Sequence, residues 1–301
     1  MPCPRITGRP GARGRAWARL DAGERAAFWG VRGHRRFSGN GLAGRGPAPA
    51  VLCVVAADEG WRRQSGGHLA AVTALGLRHG ILAVTRSDLA DPSPALAEAR
   101  AHLAASSLGE VPAVAVSGTT GSGLDELRRM LDDLVWGLPA PDPAARVRLW
   151  VDRSFTIRGS GTVVTGTLGA GTIRVGDTLG LRGGPVRVRG LQSLGEEHQE
   201  VQGVARVAVN LRQVAADDVA RGDALLTPDA WLTTRTVDAR LMPTSVAPER
   251  DHGGGASNGR APNDGSQTRL SDELAGELML HAGTVAVRVH VRPLGGDTVR
   301  L

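Results

Sequence analysis

The sequence predicts a chain of two structural classes, an α/β part followed by all-β parts. In the first half, three short apolar runs alternate with helical patterns, which is typical of a parallel sheet covered by helices. From Val147 onward, short β runs are separated by turns that contain glycine, which indicates a small closed barrel. The stretch LPAPDPAA, residues 138–145, separates the two patterns and has the proline content of a semi-rigid linker.

The α/β part is predicted to occupy residues 14–138, after a basic tail at residues 1–13. It opens with a hairpin, because two β patterns flank the turn-forming letters DAGE at residues 21–24. Three valine-rich apolar runs follow, as expected of buried parallel strands, at residues 50–57, 80–84 and 111–116. Helical patterns lie between and after them, at residues 67–77, 94–108 and 124–135.

The all-β parts are predicted to follow a linker at residues 139–145. Six short β runs with glycine turns form a first barrel over residues 146–230. A further β pattern starts at residue 236, within a second, incomplete barrel over residues 231–301. The polar, glycine-rich stretch at 243–270 interrupts this barrel and is typical of a flexible insertion.

Composition limits the classes of function. The chain has 301 residues, a formal net charge of +6 and a pI near 11.0, which favours an anionic partner such as RNA but also fits ordinary solubility. All 36 residues counted as Lys+Arg are arginines. Cys3 and Cys53 lie far apart without metal-ligand spacing, so we expect no disulfide framework, no metal site and a reducing cytoplasmic environment. The N-terminal tail has no apolar segment, so we expect no membrane association.

One stretch of the first barrel carries a family resemblance. Residues 158–168 read RGSGTVVTGTL, are followed by GTIRVGDTLGL, and come after an Arg-x-Phe-x-Ile stretch that begins at Arg153. This string resembles the second domain of the elongation factor Tu superfamily. The resemblance implies a partial P-loop-type GTPase domain, then a translation-factor β-barrel that contacts the aminoacyl end of tRNA, then a second, incomplete β-barrel. It also implies GTP with Mg²⁺ as the cofactor.

Two positions match the guanine-reading motifs of these GTPases. Thr85, Arg86 and Asp88 stand where the family has N/T-K-x-D, and Ser117 with Gly118 matches its S-A/G element. One carboxylate can accept hydrogen bonds from both the ring N–H and the exocyclic amine of guanine, a pair of donors that adenine does not offer in this arrangement. Taken alone, an aspartate after a strand is more often a helix cap.

A third match concerns the switch loop. Gly33 and His34 belong to a stretch that resembles D-x-P-G-H-E-R-F, which implies that His34 positions the attacking water, although a surface loop residue is an equal alternative. The aspartate position of this motif is Gly30, which weakens the expected hold on Mg²⁺. A chain without lysine also has no G-x-x-x-x-G-K-[ST] loop, so we expect weak or absent GTP hydrolysis. We also expect that the chain is truncated at both ends relative to the family.

Within the superfamily, the chain is most similar to the SelB-type selenocysteine factors. The stretch at residues 46–61 and the barrel entry LWVDRSF at 149–155 carry this resemblance. It implies a selenocysteine pocket formed by Asp152, Arg153 and Arg206, because arginine favours an ionised selenol over a neutral serine. The alternative is an ion pair of little value at the barrel mouth.

Three hypotheses on function remain. The first is a translation factor that binds GTP and delivers selenocysteinyl-tRNA to the ribosome. The second is a non-enzymatic tRNA-binding barrel module or an inactive gene fragment. The third is another GTPase of the same superfamily. Because the family's C-terminal winged-helix domains are missing, we do not expect this chain to recognise the selenocysteine hairpin of mRNA.

Overall fold

The structure, a computed structural model, describes residues 15–19, 25–29, 48–241 and 276–301. It divides into two compact units. The first contains Met1–Leu232 with His281–Ala286, and the second contains Thr233–Leu280 with Val287–Leu301. The predicted insertion at 243–270 lies outside the described residues.

The predicted hairpin and parallel sheet are both present in the first unit. Strands β1 (Arg15–Arg19) and β2 (Arg25–Trp29) pair antiparallel. Strands β3 (Val51–Ala56), β4 (Gly80–Thr85) and β5 (Ala113–Ala115) form a parallel sheet in the order β3-β4-β5. The sheet confirms the α/β prediction, and its central strand β4 is buried over its first five residues.

Among the described residues, three helices accompany this sheet, and their ends differ from the predicted ones. They are α1 (Arg63–Ala74), α2 (Ser93–Ala104) and α3 (Leu124–Gly137). Helix α1 ends at Ala74 because Gly76 takes a positive φ of 68° and its N–H bonds back to Thr73. Helix α2 ends four residues before Leu108, yet Leu108 still packs into the core with Val55, Leu82 and Leu103.

The second part of the first unit is a closed barrel of six strands, as the β runs predicted. The strands from β6 to β14 are, in chain order, Arg148–Ile157, Gly161–Leu168, Thr172–Arg174, Thr178–Leu181, Gly184–Ser193, Glu196–His198, Glu200–Gln202, Ala205–Arg212 and Ala224–Leu226. The order β10-β13-β7-β6-β14-β9 closes because β9 also pairs with β10. Strand β11 extends one edge, and β8 pairs with β12.

Side-chain alternation along these strands separates the core from the outer face. The barrel core contains Leu149 and Val151 of β6, Val164 of β7, and Val207 and Val209 of β13, all fully buried. The residues between them, two apart along each strand, therefore lie on the outer face. A β-bulge between Val151 and Arg153 shifts the register of β6 against β7, and so sets where Asp152 lies.

The second unit is built around part of a four-stranded antiparallel sheet, in the order β15-β18-β17-β16. Its strands are β15 (Asp238–Arg240), β16 (Gly276–Ala282), β17 (Val285–Gly295) and β18 (Thr298–Arg300). Arg300 forms a two-point ion pair with Asp238, at 2.7 and 2.8 Å, across β18 and β15. No helix among the described residues is long and apolar enough to cross a membrane.

Candidate functional site

The predicted guanine-reading residues come together at one edge of the parallel sheet. Thr85 is the last residue of β4, Arg86 and Asp88 follow it, and Ser117 with Gly118 comes two residues after the end of β5. Parallel neighbours end at the same edge, and backbone bonds connect the two segments there. Val116 N–H donates to the carbonyl of Val84 at 2.7 Å, and Ser87 N–H donates to that of Val116 at 3.2 Å.

The β5 side of this edge is preorganised by Ser117. Its side chain is completely buried, and its hydroxyl accepts hydrogen bonds from the backbone N–H groups of Thr119 at 3.2 Å and Thr120 at 3.1 Å. A side chain at Gly118 would meet nothing within 4 Å, so this backbone faces open space. The arrangement leaves room for a planar group beside Gly118.

The β4 side presents a carboxylate to solvent. Asp88 is exposed and makes no hydrogen bond or ion pair with any described residue. A carboxylate in this state retains all of its acceptor capacity for a ligand. The exposed carboxylate of Asp88 and the open backbone at Gly118 thus provide a hydrogen-bond acceptor and free space at the same edge of the sheet.

Arg86 adopts a conformation that sequence reasoning missed. Its φ is +57°, which is uncommon for a residue other than glycine. Its Nη1 donates to Asp58 Oδ2 at 2.9 Å and to Glu59 Oε1 at 3.1 Å. Hydrogen bonding to Asp58 is the main cause that raises the pKa of Arg86. The guanidinium is thus engaged by two carboxylates of the loop after β3. Both lie in the stretch at residues 46–61 that carries the family resemblance, but nothing in that stretch indicated a contact with Arg86.

The switch-loop residues Gly33 and His34 lie outside the described residues, so their predicted role stays a prediction. Among the described residues, no group of three or more His, Cys, Asp or Glu could hold a metal ion.

The residues predicted to form a selenocysteine pocket lie on the outer face of the barrel. Arg206 of β13 and Asp152 of β6 are 54 positions apart in sequence, and they meet in a two-point ion pair. Arg206 Nη2 lies 2.8 Å from Asp152 Oδ1, and Arg206 Nη1 lies 2.5 Å from Asp152 Oδ2. The side chain of Arg206 is only 8% exposed and that of Asp152 only 15%, so the pair is largely removed from solvent. Arg153, by contrast, is exposed and forms no ion pair or side-chain hydrogen bond with the described part of the chain.

Threonine hydroxyls complete this cluster and were not predicted. Thr165 of β7 donates to Asp152 Oδ1 at 2.6 Å and accepts from Arg206 Nη2 at 3.1 Å. Thr167 lies opposite Arg206 in the strand register, and its buried hydroxyl has no hydrogen-bond partner among the described residues. The sequence T-G-T at residues 165–167 of β7 could have indicated both hydroxyls, since residues two apart on a strand share a face.

Asn210 adds a further polar group on the same face of β13, four residues after Arg206. Its buried Oδ1 has no hydrogen-bond partner within the described ranges. Buried polar atoms in native proteins are nearly always bonded, so each exception requires an explanation. A guanidinium flanked by polar groups that have bonding capacity is suited to a small anionic or polar ligand.

Comparisons with known proteins agree with this architecture. No family model matches the chain. It is 36% identical over 224 residues to a selenocysteine-specific elongation factor of Desulfomicrobium baculatum, covering 72% of this chain and 35% of that protein. It is 34% identical to the Escherichia coli (strain K12) protein of the same name, covering 70% and 35%. Elongation factor Tu 2 of Streptomyces avermitilis is 32% identical, with 71% and 58% covered.

Solved structures show the same fold. A crystal structure of bacterial selenocysteine-specific elongation factor EF-Sec superposes with a TM-score of 0.79 at 24% identity, covering 95% of this chain and 46% of that one. SelB from Methanococcus maripaludis in complex with the GTP analogue GppNHp gives a TM-score of 0.76 at 21% identity, with 95% and 61% covered. This chain thus spans about a third of the length of the two selenocysteine-specific factors it matches in sequence.

Proposed function

Because the chain belongs to the family of selenocysteine-specific elongation factors, we propose that its first barrel binds the selenocysteinyl end of selenocysteinyl-tRNA for delivery to the ribosome. The observation that carries this proposal is the buried pair of Asp152 and Arg206 beside the hydroxyl of Thr165. It supports the proposal because an anionic aminoacyl side chain bound here would meet a preorganised cation.

The chemistry of the cluster favours selenocysteine over serine. A selenol is largely ionised at neutral pH, and charge-assisted hydrogen bonds are roughly twice as strong as neutral ones. Asp152 holds the Arg206 guanidinium in one orientation, so little ordering is needed when the ligand arrives. The exposed Arg153 adds positive charge at the rim of the site. Serine offers no charge in return, and discrimination follows from that difference.

Aminoacyl-tRNA binding tests this proposal directly. We expect the chain to bind selenocysteinyl-tRNA more tightly than seryl-tRNA on the same tRNA body. Arg206→Met should abolish the preference, a loss of about tenfold or more, because one charged hydrogen-bonding partner is removed. Arg182→Ala is the matched control, since Arg182 forms an ion pair with Asp223 in the same barrel but is 52% exposed. Equal affinity of the wild-type chain for both aminoacyl-tRNAs would refute the pocket.

The parallel-sheet edge is the proposed guanine site. The relatives are GTPases, a family that uses GTP with Mg²⁺. In our proposal Asp88 accepts from guanine, the Gly118 backbone approaches its O6, and Thr85, Arg86 and Ser117 shape the site. Fluorescent GDP and GTP binding with ATP as competitor tests it, with and without Mg²⁺. Binding that ATP displaces as well as GTP would contradict the assignment.

A second candidate function is tRNA binding without GTP hydrolysis. The observation that favours it is the absence of lysine from the 301 residues, which contain no G-x-x-x-x-G-K-[ST] sequence to hold phosphates. Selenocysteinyl-tRNA binding that is unchanged by added guanine nucleotide would select this candidate. Binding that strengthens with GTP and weakens with GDP would select the nucleotide-dependent factor.

The proposal also includes the role of the switch loop, the division into domains and the cellular location. His34 is our candidate for positioning the attacking water, with Gly33 beside it. The division into a GTPase domain at 14–138, a barrel at 146–230 and an incomplete barrel at 231–301 is likewise proposed, as is a cytoplasmic location. The first of these is tested by the GTP turnover of His34→Ala against the wild-type chain.

A further inference from the structure

Two loops at the edge of the parallel sheet are connected by a single side chain. Loop 57–60 follows β3, loop 86–89 follows β4, and Arg86 reaches from the second loop to Asp58 and Glu59 of the first. The Arg86 side chain is 49% exposed, and the two carboxylate side chains are 33% and 43% exposed. Single exposed ion pairs are weak, but three oxygen contacts converge here on one nitrogen and form a network.

Loop 57–60 is firmly attached to the rest of the sheet and to α2. Ala57 N–H donates to the carbonyl of Thr85 at 2.8 Å. Just beyond the loop, Trp61 N–H donates to Glu98 Oε2 at 3.0 Å, and the Trp61 ring stacks on His102 with centroids 4.5 Å apart. Both partners of Trp61 belong to α2, so this loop provides a fixed support.

Loop 86–89 has much less support of its own. Its backbone bonds are Ser87 N–H to Val116 at 3.2 Å and Leu89 N–H to Arg86 at 3.0 Å. No described side chain contacts the carboxylate of Asp88 through a hydrogen bond or ion pair. Arg86 also holds the positive φ from which the loop departs, a conformation that surrounding contacts must maintain. The side-chain link to Asp58 and Glu59 therefore supplements the single backbone bond to Val116 in holding this loop in position.

We propose that Arg86 is a positioning residue that acts through Asp58 and Glu59 to aim Asp88, and that selectivity for guanine depends on this network. The inference rests on the proposed guanine site and adds to it a role for two carboxylates outside the two guanine-reading motifs. Arginine suits the role better than lysine, because its planar head fixes the direction in which Nη1 donates to the two carboxylates.

The first readout is the ratio of affinities for GDP and inosine diphosphate. Hypoxanthine lacks the exocyclic amine of guanine, so this ratio reports how well the carboxylate of Asp88 is aimed. We expect Arg86→Ala and the double variant Asp58→Asn/Glu59→Gln to lower the ratio roughly two- to fivefold, the range of an exposed ion-pair network. Arg86→Lys should retain part of it. High salt should lower the wild-type ratio toward the variant value, because exposed charges are screened.

Arg100→Ala is the control, because Arg100 is an exposed arginine of α2 without an ion pair among the described residues, so the charge change is the same. A ratio that falls equally in this control overturns the proposal. So does a loss of affinity in Arg86→Ala that is the same for both nucleotides.

The second readout separates this inference from the guanine site on which it rests. Hydrogen exchange of the Ser87 and Leu89 amides should be faster in Arg86→Ala and in the double variant, and unchanged in Arg100→Ala. If the wild-type chain binds neither nucleotide, the proposed guanine site fails, and faster exchange still supports the positioning role of Arg86. Exchange that is unchanged in both network variants overturns that role.

Discussion

Removal of the Asp152 carboxylate is the perturbation that tests the barrel cluster most sharply. In Asp152→Ala the guanidinium of Arg206 loses both oxygens of its two-point ion pair, and the Thr165 hydroxyl loses its acceptor. With only 8% of the Arg206 side chain exposed, water cannot readily replace those contacts. The variant therefore removes the carboxylate that forms the two-point ion pair with this buried cation.

The size of the effect follows from this burial. Breaking a buried ion pair by removing one partner costs about 3–5 kcal/mol of unfolding free energy. The isosteric Asp152→Asn keeps one acceptor and removes the charge, so it should lie between Asp152→Ala and the wild type. The double variant Asp152→Ala/Arg206→Met should be more stable than Asp152→Ala alone, because the buried cation is removed together with the carboxylate that paired with it.

Urea unfolding followed by tryptophan fluorescence measures these differences, and Trp150 on the same strand as Asp152 is a local reporter. Arg182→Ala serves as the control, since its pair with Asp223 is solvent-exposed on the arginine side and should leave the barrel transition unchanged. If Asp152→Ala lowers the free energy of unfolding by less than about 1 kcal/mol, the cluster is no stronger than an ordinary surface ion pair, and the reasoning is refuted.

Three further substitutions or titrations probe the α/β part. Gly67→Ala should stabilise the chain by about 0.5–1 kcal/mol in thermal unfolding, because the glycine lies inside α1 and a Cβ there meets nothing within 4 Å. Gly123→Ala should lower the melting temperature, at a cost of more than about 1–3 kcal/mol, because φ is +73° and the new Cβ would strike the carbonyl oxygen of Ala115. Burial raises the pKa of Cys53 from its ordinary 9.0 to about 11, so alkylation of this thiol, followed by peptide mass spectrometry, should be slow at pH 8.5 in the folded chain. Because the folded pKa is the higher one, the corresponding stabilisation is complete below pH 9.0 and is lost as the pH rises toward about 11, which urea midpoints at pH 8 and 10.5 would detect.

Local patterns predicted much of the architecture. The valine-rich runs identified β3, β4 and β5, because strands buried on both faces require continuous apolar sequence. They also located the candidate guanine site, since residues that follow neighbouring parallel strands must meet at one edge. Helix ends were less accurate: α1 begins at Arg63, four residues before the predicted start, because Arg62 takes an extended conformation with no marked capping residue.

Contacts between distant residues were not accessible in the same way. The partners of Arg86 lie 27 and 28 positions earlier in the chain, and no local pattern in their loop indicates that they contact Arg86. For the barrel, similarity to a family suggested Asp152, Arg153 and Arg206 as one group, whereas the structure pairs the first with the third and leaves Arg153 exposed. The bulge in β6 is responsible, because it changes the register at this position, and no local pattern marks it.

By itself, the sequence determined the two structural classes of this chain, the approximate strands of each, and the motifs that relate it to translation factors. Those properties depend on periodicity and on short strings of residues, which are local. Only the tertiary structure decided which strands lie side by side in the barrel, that Thr165 joins the Asp152 and Arg206 pair, and that Arg86 connects two loops. These outcomes depend on contacts between distant residues. In the barrel, a one-residue shift in register would turn Asp152, Thr165 and Arg206 to the opposite face of the sheet.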